Sequence, residues 1–429
     1  MLRGTGASSP RRPWTAYAVQ GWRRELGLSA ISFVVLLVAW LIAPWAPYMV
    51  LGCAAFVIWQ RPDLRENYKR GAQGRHLIRR LQAALWLCAV VGRDGRIPSV
   101  ERVETLAVGR RYVLRMPVGL HFEAIAQRAP ELAAALGARS LHVEANPANA
   151  ALVTVTEIVV DPLPNNLRSG IVEVAQVDLW QAVPFGLAED GSVVDLTLPE
   201  HNLLLGGEPG SGKSVALSSI VAAAALDPRV SITLLDGKQV ELAPWRAVAE
   251  DFVGPDQERA VQVLDQLRSE MDHRYAQLLE TGTRKIDRES RFGLHLVVID
   301  ELAFYLRGGK KTTREEFAEL LRDLVSRGRA AGIIVVAATQ KPSHEVVPTW
   351  IRDLFAFRLA MRCSSADASD TILGSGWATR GYSAASIVPT KRGVGYLLAE
   401  GSLPVLLKTP FLSDEEITGI ARRAAELRR

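Results

Sequence analysis

Between Gly207 and Ser214 the chain reads Gly-Glu-Pro-Gly-Ser-Gly-Lys-Ser, three glycines closed by an amine and a hydroxyl. Glycines at this spacing let the backbone wrap a chain of phosphates with its N–H groups pointing inward, at the positive end of a helix dipole. Lys213 would reach the β- and γ-phosphates, and the Ser214 hydroxyl would bind Mg²⁺. The contact set for ATP is therefore Gly207, Glu208, Pro209, Gly210, Ser211, Gly212, Lys213, Ser214 and Val215. An apolar run, Leu203–Leu205, precedes the motif and a helical stretch from Val215 to Ala225 follows it. Strand, loop and helix in that order are the context the chemistry needs, which a ligand-free glycine turn does not require.

The second constellation is His295-Leu-Val-Val-Ile-Asp300-Glu301, 87 positions after Lys213 to the aspartate. Four apolar residues make a buried strand, and two carboxylates emerge at its C-terminal end, the edge where open α/β sheets bind ligands. Asp300 is expected to join Ser214 in holding Mg²⁺, and Glu301 to orient and activate the attacking water. A third apolar run, Ile333-Ile-Val-Val-Ala-Ala, ends in Thr339-Gln340, which could sense the γ-phosphate, although strands end in such residues for ordinary reasons too.

These residues need a scaffold that gathers strand ends at one edge. From about 170 to 429 strand-like and helix-like patterns alternate, which predicts a mostly parallel sheet covered by helices. Val194–Leu198 alternates and suits an edge, whereas Leu203–Leu205, Ser231–Leu235, Leu296–Ile299 and Ile333–Ala338 read as buried strands. Val261, Leu264, Met271, Tyr275 and Leu278 stripe one face of a long helix. Residues 96–165 read as a small α/β domain, with strands at Tyr112–Met116, Leu141–Ala145 and Ala151–Val160 and helical spacing over Phe122–Leu136. Pro162, Pro164, Asn165 and Asn166 mark its boundary. No catalytic grouping occurs in it, so its expected role is structural.

Ahead of both lies an uncharged run of 34 residues, Leu26 to Trp59. As one helix it would extend about 51 Å, well beyond a hydrocarbon core of about 30 Å. Pro44 and Pro47 sit where a turn would fall, so residues 26–60 are read as a transmembrane hairpin of two helices, with a re-entrant loop the alternative for the short second span. A cleaved signal peptide does not fit, because the run is too long and lacks a small-residue cleavage site. Residues 1–25 form a basic tail and 61–95 a basic linker carrying an amphipathic helix from His76 to Val91. Arginine and lysine on both flanks place both ends in the cytoplasm, which gives a multi-pass cell-membrane protein with a cytoplasmic motor.

Residues 1–80 carry 12 Lys/Arg against 3 Asp/Glu, a balance of +9, which leaves −4 for the other 349 residues of a chain whose net charge is +5. The basic pI is thus a property of the N-terminus and does not argue for nucleic acid at the catalytic part. Three scattered cysteines, Cys53, Cys88 and Cys363, exclude a disulfide framework and a cysteine metal cluster.

Together these features resemble the FtsK/SpoIIIE family of DNA translocases. The likeness runs from about residue 100 to the C-terminus and is most specific at His201–Leu217, Leu235-Asp-Gly-Lys238-Gln-Val-Glu-Leu, Glu270–Tyr275, Arg329-Ala-Ala-Gly-Ile, Ala338–Ser343 and Ser364-Ser365. It implies a RecA-like P-loop NTPase motor beside a small α/β domain, and a ring, expected to be a homo-hexamer, threaded by double-stranded DNA. It also implies a neighbour's arginine completing each site, with Arg329, Arg358 and Arg362 as candidates and Arg329 the best match. Lys213, Asp300, Glu301, Gln340 and Arg329 are the catalytic set under this resemblance. For DNA the candidate is Arg307-Gly-Gly-Lys310-Lys311-Thr-Thr-Arg314, read as a glycine-flexible basic loop, with Lys391 and Arg392 in a second one. Asp370 stands where cell-division members usually place an arginine, and with the two-span anchor this is closer in character to actinobacterial conjugative-transfer (Tra-type) translocases. The expected function is a membrane-anchored, ATP-dependent DNA translocase. Chromosome partitioning at cell division and protein secretion of the type VII kind remain the alternatives.

Overall fold

In the computed structural model the described residues are 62–429 other than Ala107, Pro162 and Glu400, together with a few isolated positions between 34 and 49. The expected basic tail and, those few positions aside, the expected hairpin lie outside the described residues. Among the described residues no helix is long and apolar enough to cross a membrane. Two compact units meet between Asp161 and Pro162.

The first unit opens with α1 (Pro62–Leu87), followed by β1 (Ser99–Thr105), β2 (Gly109–Arg115), α2 (Phe122–Ala126), α3 (Ala129–Leu136), β3 (Ser140–Ala145) and β4 (Leu152–Ile158). Its strands form an antiparallel sheet in the order β1-β2-β4-β3. Alternation along β2 and β4 buries Tyr112, Leu114, Val153 and Val155, and Leu81 and Leu85 of α1 pack into the same core. The helix expected as a linker is therefore part of this unit. The single helix expected over 122–136 is two, because Arg128 leaves helical geometry and Pro130 restarts the helix at the first turn of α3. Glu157, fully buried in β4, accepts from Arg110 Nη1 at 3.1 Å and from the Tyr112 hydroxyl at 2.8 Å, which satisfies a charge that would otherwise be costly to bury.

The second unit contains β5 (Val183–Ala188), β6 (Val193–Leu196), β7 (Leu203–Gly206), α4 (Lys213–Ala225), β8 (Ser231–Leu235), β9 (Asp251–Val253), α5 (Gln257–Thr281), β10 (His295–Ile299), α6 (Leu302–Arg307), α7 (Lys311–Arg327), β11 (Ile333–Thr339), α8 (Thr349–Arg352), β12 (Phe357–Met361), α9 (Ala366–Leu373), β13 (Val394–Leu398), β14 (Val405–Lys408) and α10 (Asp414–Leu427). Ten strands make one sheet in the order β6-β5-β14-β13-β12-β7-β11-β10-β8-β9. The run from β12 to β9 is parallel, while β13, β14, β5 and β6 form an antiparallel wing. The edge strand expected near Val194 is β6.

Both faces of the parallel part are covered, as such sheets require. On β10, Leu296 and Val298 point into one apolar layer with α4 and α10, and Val297 and Ile299 into the other with α5 and α7. The side-chain stripe of α5 buries Val263, Leu264, Leu267 and Met271 against Phe317, Leu321 and Leu324 of α7. The order β7-β11-β10 has a direct consequence: β11 separates the strand leading into the glycine loop from the strand ending in Asp300.

Candidate nucleotide site

The glycine loop leaves β7 at Gly206 and is tied down at each step. Gly207 N donates to Thr339 O at 3.3 Å, Glu208 N to Arg362 O at 2.9 Å, and Ser211 N to Glu208 O at 3.1 Å. Gly210 and Gly212 adopt φ of 75° and 107°, which only glycine takes without strain. A Cβ on Gly212 would lie 2.6 Å from the Gly393 nitrogen, so the loop also needs glycine for a close approach. Lys213 opens α4 with its side chain buried.

A cleft of about 450 Å³ lies over this loop, reaching from Glu208, Lys213 and Ser214 past Gln340 to Lys408 and Phe411. Burial pulls the Lys213 ammonium below its usual pKa, against the opposing pull of Asp300 and Glu301. Asp300 shows the converse effect. Burial, with Glu241 and Asp236 nearby, pushes its carboxyl up to about 6. Its Oδ2 is buried with no hydrogen-bond partner. A buried carboxylate oxygen left open, with a buried lysine near enough to act on its charge, is donor chemistry that Mg²⁺ and phosphate would complete.

Glu301 caps the start of α6 and is held by the end of β11. Its Oε1 accepts from Thr339 Oγ1 at 2.9 Å, and its two oxygens accept from Gln340 N at 3.3 and 3.2 Å. Thr339 thus touches both halves of the site, since its carbonyl takes the Gly207 N–H while its hydroxyl donates to Glu301. That double contact exists because β11 lies between the strand leading into the glycine loop and the strand leading to Glu301. The Gln340 side chain lines the cleft.

Sequence reasoning missed one wall of the cleft. Lys408, Thr409 and Phe411 arrive from the antiparallel wing, with Arg392 and Gly393 from the turn before β13. Gly393 N donates to Ser211 O at 2.7 Å, and the Lys408 ammonium donates to Arg392 O. Arg392 was expected in a basic loop for DNA rather than at this cleft, and no local pattern announced the others. Lys238 and Glu241 also line the cleft. They follow the end of β8, and the carboxyl-edge rule could have found them.

Four further expectations meet the structure. Arg329 sits in the turn entering β11, with its carbonyl accepting from Gly332 N, at the sheet edge opposite the cleft; the fold does not bring it to the site of its own chain. Arg362, a candidate for acting on a neighbour, engages its own loop instead, donating to Glu208 Oε2 at 2.6 Å. The basic segment expected to be a loop is mostly helix. Only Gly308–Lys310 separates α6 from α7, and Arg307, Lys310 and Lys311 are paired with Glu345, Glu258 and Glu315. The glycine pair is too short to keep that stretch out of the two helices. Asp370 accepts from Gly376 N at 2.7 Å and Ala378 N at 2.8 Å, so it shapes the turn after α9.

A sequence profile of the FtsK/SpoIIIE family matches residues 163–380, just over half of the chain. The chain belongs to the FtsK/SpoIIIE family. With that membership and this fold it falls among the P-loop ATPases. DNA translocase FtsK of Streptococcus pyogenes serotype M3 is 27% identical over 362 residues, covering 75% of this chain and 42% of the relative. DNA translocase FtsK of Lactococcus lactis subsp. cremoris is 27% identical over 365 residues, covering 74% and 44%. The chain thus spans less than half the length of these FtsK relatives. Among solved structures, the pCW3 conjugation coupling protein TcpA, in a monomer form with ATPgS, aligns with a TM-score of 0.56 and 20% identity over 82% of this chain and 99% of that one. ATPases 2 and 3 of EssC from Geobacillus thermodenitrificans align with a TM-score of 0.52 and 16% identity over 63% and 53%. At those identities the likeness is one of fold, an α/β P-loop NTPase-like motor.

Proposed function

We propose that this chain is a membrane-anchored motor that hydrolyses ATP and uses the energy to move double-stranded DNA, as a ring of six copies, in conjugative transfer. The observation that carries the catalytic part is the closeness of Asp300 and Glu301 to Lys213, a residue lining the cleft on whose ammonium both carboxylates act, with Asp300 Oδ2 left without a partner. The N–H groups of Gly212, Lys213 and Ser214 at the start of α4 bind the triphosphate, and the Lys213 side chain balances charge on its terminal phosphates. Ser214 and Asp300 would hold Mg²⁺, which would supply neutralisation of the charge that develops on the phosphates. Glu301, held by Thr339 and the Gln340 backbone, orients the attacking water and draws its proton. Arg329, in the turn before β11 and so at the end of that strand away from Glu301, would serve an adjoining copy rather than its own.

The DNA, membrane and conjugation parts of this reading draw on the family, on the uncharged run from Leu26 to Trp59 and on the fold shared with a conjugation coupling protein. Steady-state ATP hydrolysis by the full chain, with and without duplex DNA, tests it. The expected result is strong stimulation by DNA. Lys213→Ala should abolish hydrolysis, whereas Glu301→Gln should retain ATP and lose turnover. A rate indifferent to DNA but raised by a peptide would favour the secretion alternative, whose ATPases share the fold.

A further inference from the structure

The glycine loop that would take phosphates carries a carboxylate, Glu208, at its second position, among the residues lining the cleft. The strand beside it explains how the charge is tolerated. β12 pairs with β7 in parallel register, Ala360 opposite Gly206, so the residue two further along is set opposite position 208. That residue is Arg362. It holds the loop three ways: its carbonyl accepts from Glu208 N at 2.9 Å, its Nη1 donates to Glu208 Oε2 at 2.6 Å, and its Nη2 donates to Pro209 O at 3.3 Å. Both side chains are about three-quarters withdrawn from water, 20% and 28% exposed, so solvent screens the pair only partly.

We infer that Arg362 is a positioning residue of the nucleotide site in cis: its guanidinium neutralises and turns aside the Glu208 carboxylate, and the pair sets how tightly the loop holds a triphosphate. This rests on the nucleotide reading given above and deepens it. Without Arg362, the bare carboxylate opposes a polyanion in the same cleft, and at the effective dielectric of a half-buried site that repulsion weakens binding by about tenfold or more. The inference differs from a purely mechanical role. A strut fails when either end is removed, whereas a neutralising charge becomes dispensable once its partner is also neutral.

The test measures affinity of the full chain for a fluorescent ATP analogue with Mg²⁺, together with KM and kcat for ATP. Arg362→Ala should weaken binding about tenfold or more, with the loss falling on KM rather than kcat. Arg362→Lys, which keeps the charge, should recover most of it. Glu208→Gln should tighten binding, because a cation is left facing the phosphates. Combining Glu208→Gln with Arg362→Ala should recover the affinity that the arginine change removed. A double variant as weak as Arg362→Ala, or a Glu208→Gln protein that binds no better than the unsubstituted chain, overturns the inference. The Glu208→Gln arm stands alone should Arg362→Ala fail to fold. Failure of the unsubstituted chain to bind the analogue removes this inference and the nucleotide reading together. Binding that Lys213→Ala abolishes, with the Glu208 and Arg362 pattern absent, removes only the inference.

Discussion

Asp300 and Lys213 are each buried in the charged form that their work requires, and each is shifted away from it, Asp300 up to about 6 and Lys213 downward. This tension costs stability. For Asp300 the sign follows from linkage: a carboxyl whose folded pKa exceeds its unfolded value of 3.8 favours the folded state below 3.8 and gives that up as pH rises through about 6. Asp300→Asn should therefore stabilise the nucleotide-free protein at pH 8, by an upper figure of about 3 kcal/mol, and the gain should vanish as pH falls below 3.8. Denaturant melts in the two pH ranges check it, and an equal effect in both would refute it. Thr339 allows a separate prediction. Thr339→Val removes the hydroxyl that holds Glu301 while keeping the shape of the strand end, so kcat should fall about tenfold with ATP affinity retained. Unequal loss in KM would place Thr339 in binding instead.

Among the elements, two arrangements decide how the site works. β11 lies between β7 and β10, which lets one residue contact both the loop and the catalytic glutamate. The antiparallel wing then presses Gly393 onto the loop through the bond from its nitrogen to Ser211 O. Gly393 has a φ of 74°, and a Cβ there would meet Lys408 Nζ and Thr409 Oγ1 at 3.1 Å. Gly393→Ala should cost about 1–2 kcal/mol and weaken ATP binding although it lies far along the chain from Lys213. Thermal melts and a nucleotide titration read the two effects, and a loss of stability with affinity intact would show that the wing does not shape the loop. Ser413 provides a local comparison: its capping box with Glu416 starts α10, and Ser413→Ala should cost about 1 kcal/mol without touching ATP binding. That motif is local, a contact between residues three apart in the chain. The split of the helix expected over 122–136 was less readable, since hydrophobic spacing continues across the break that Arg128 and Pro130 make.

For the whole molecule the question is what the motor is attached to and what it moves. Expressed whole, the chain should sediment with membranes and stay there after washing at high salt or high pH, as inserted apolar segments do and electrostatically bound ones do not. Release by either wash would remove the anchor from the proposal. DNA stimulation should fall as salt rises, because sequence-blind phosphate contacts release counterions. Residues 307 and 311–314 of the segment expected to meet DNA are helical, and Arg307 and Lys310 would have to exchange acidic partners for phosphates to contribute.

The sequence alone determined the chemistry that depends on neighbours along the chain: the glycine loop with Lys213 and Ser214, the buried strand delivering Asp300 and Glu301, and the alternation that dictates a covered parallel sheet. Each is a local pattern with a local physical cause. The tertiary structure decided what depends on strand order and register. It placed Thr339 between the strand leading into the glycine loop and the strand leading to Glu301, turned Arg362 onto Glu208, and brought Gly393 and Lys408 to the cleft from the far end of the chain. Those contacts join residues 38 to 182 or more positions apart, and no periodicity along a chain records which strands will lie side by side.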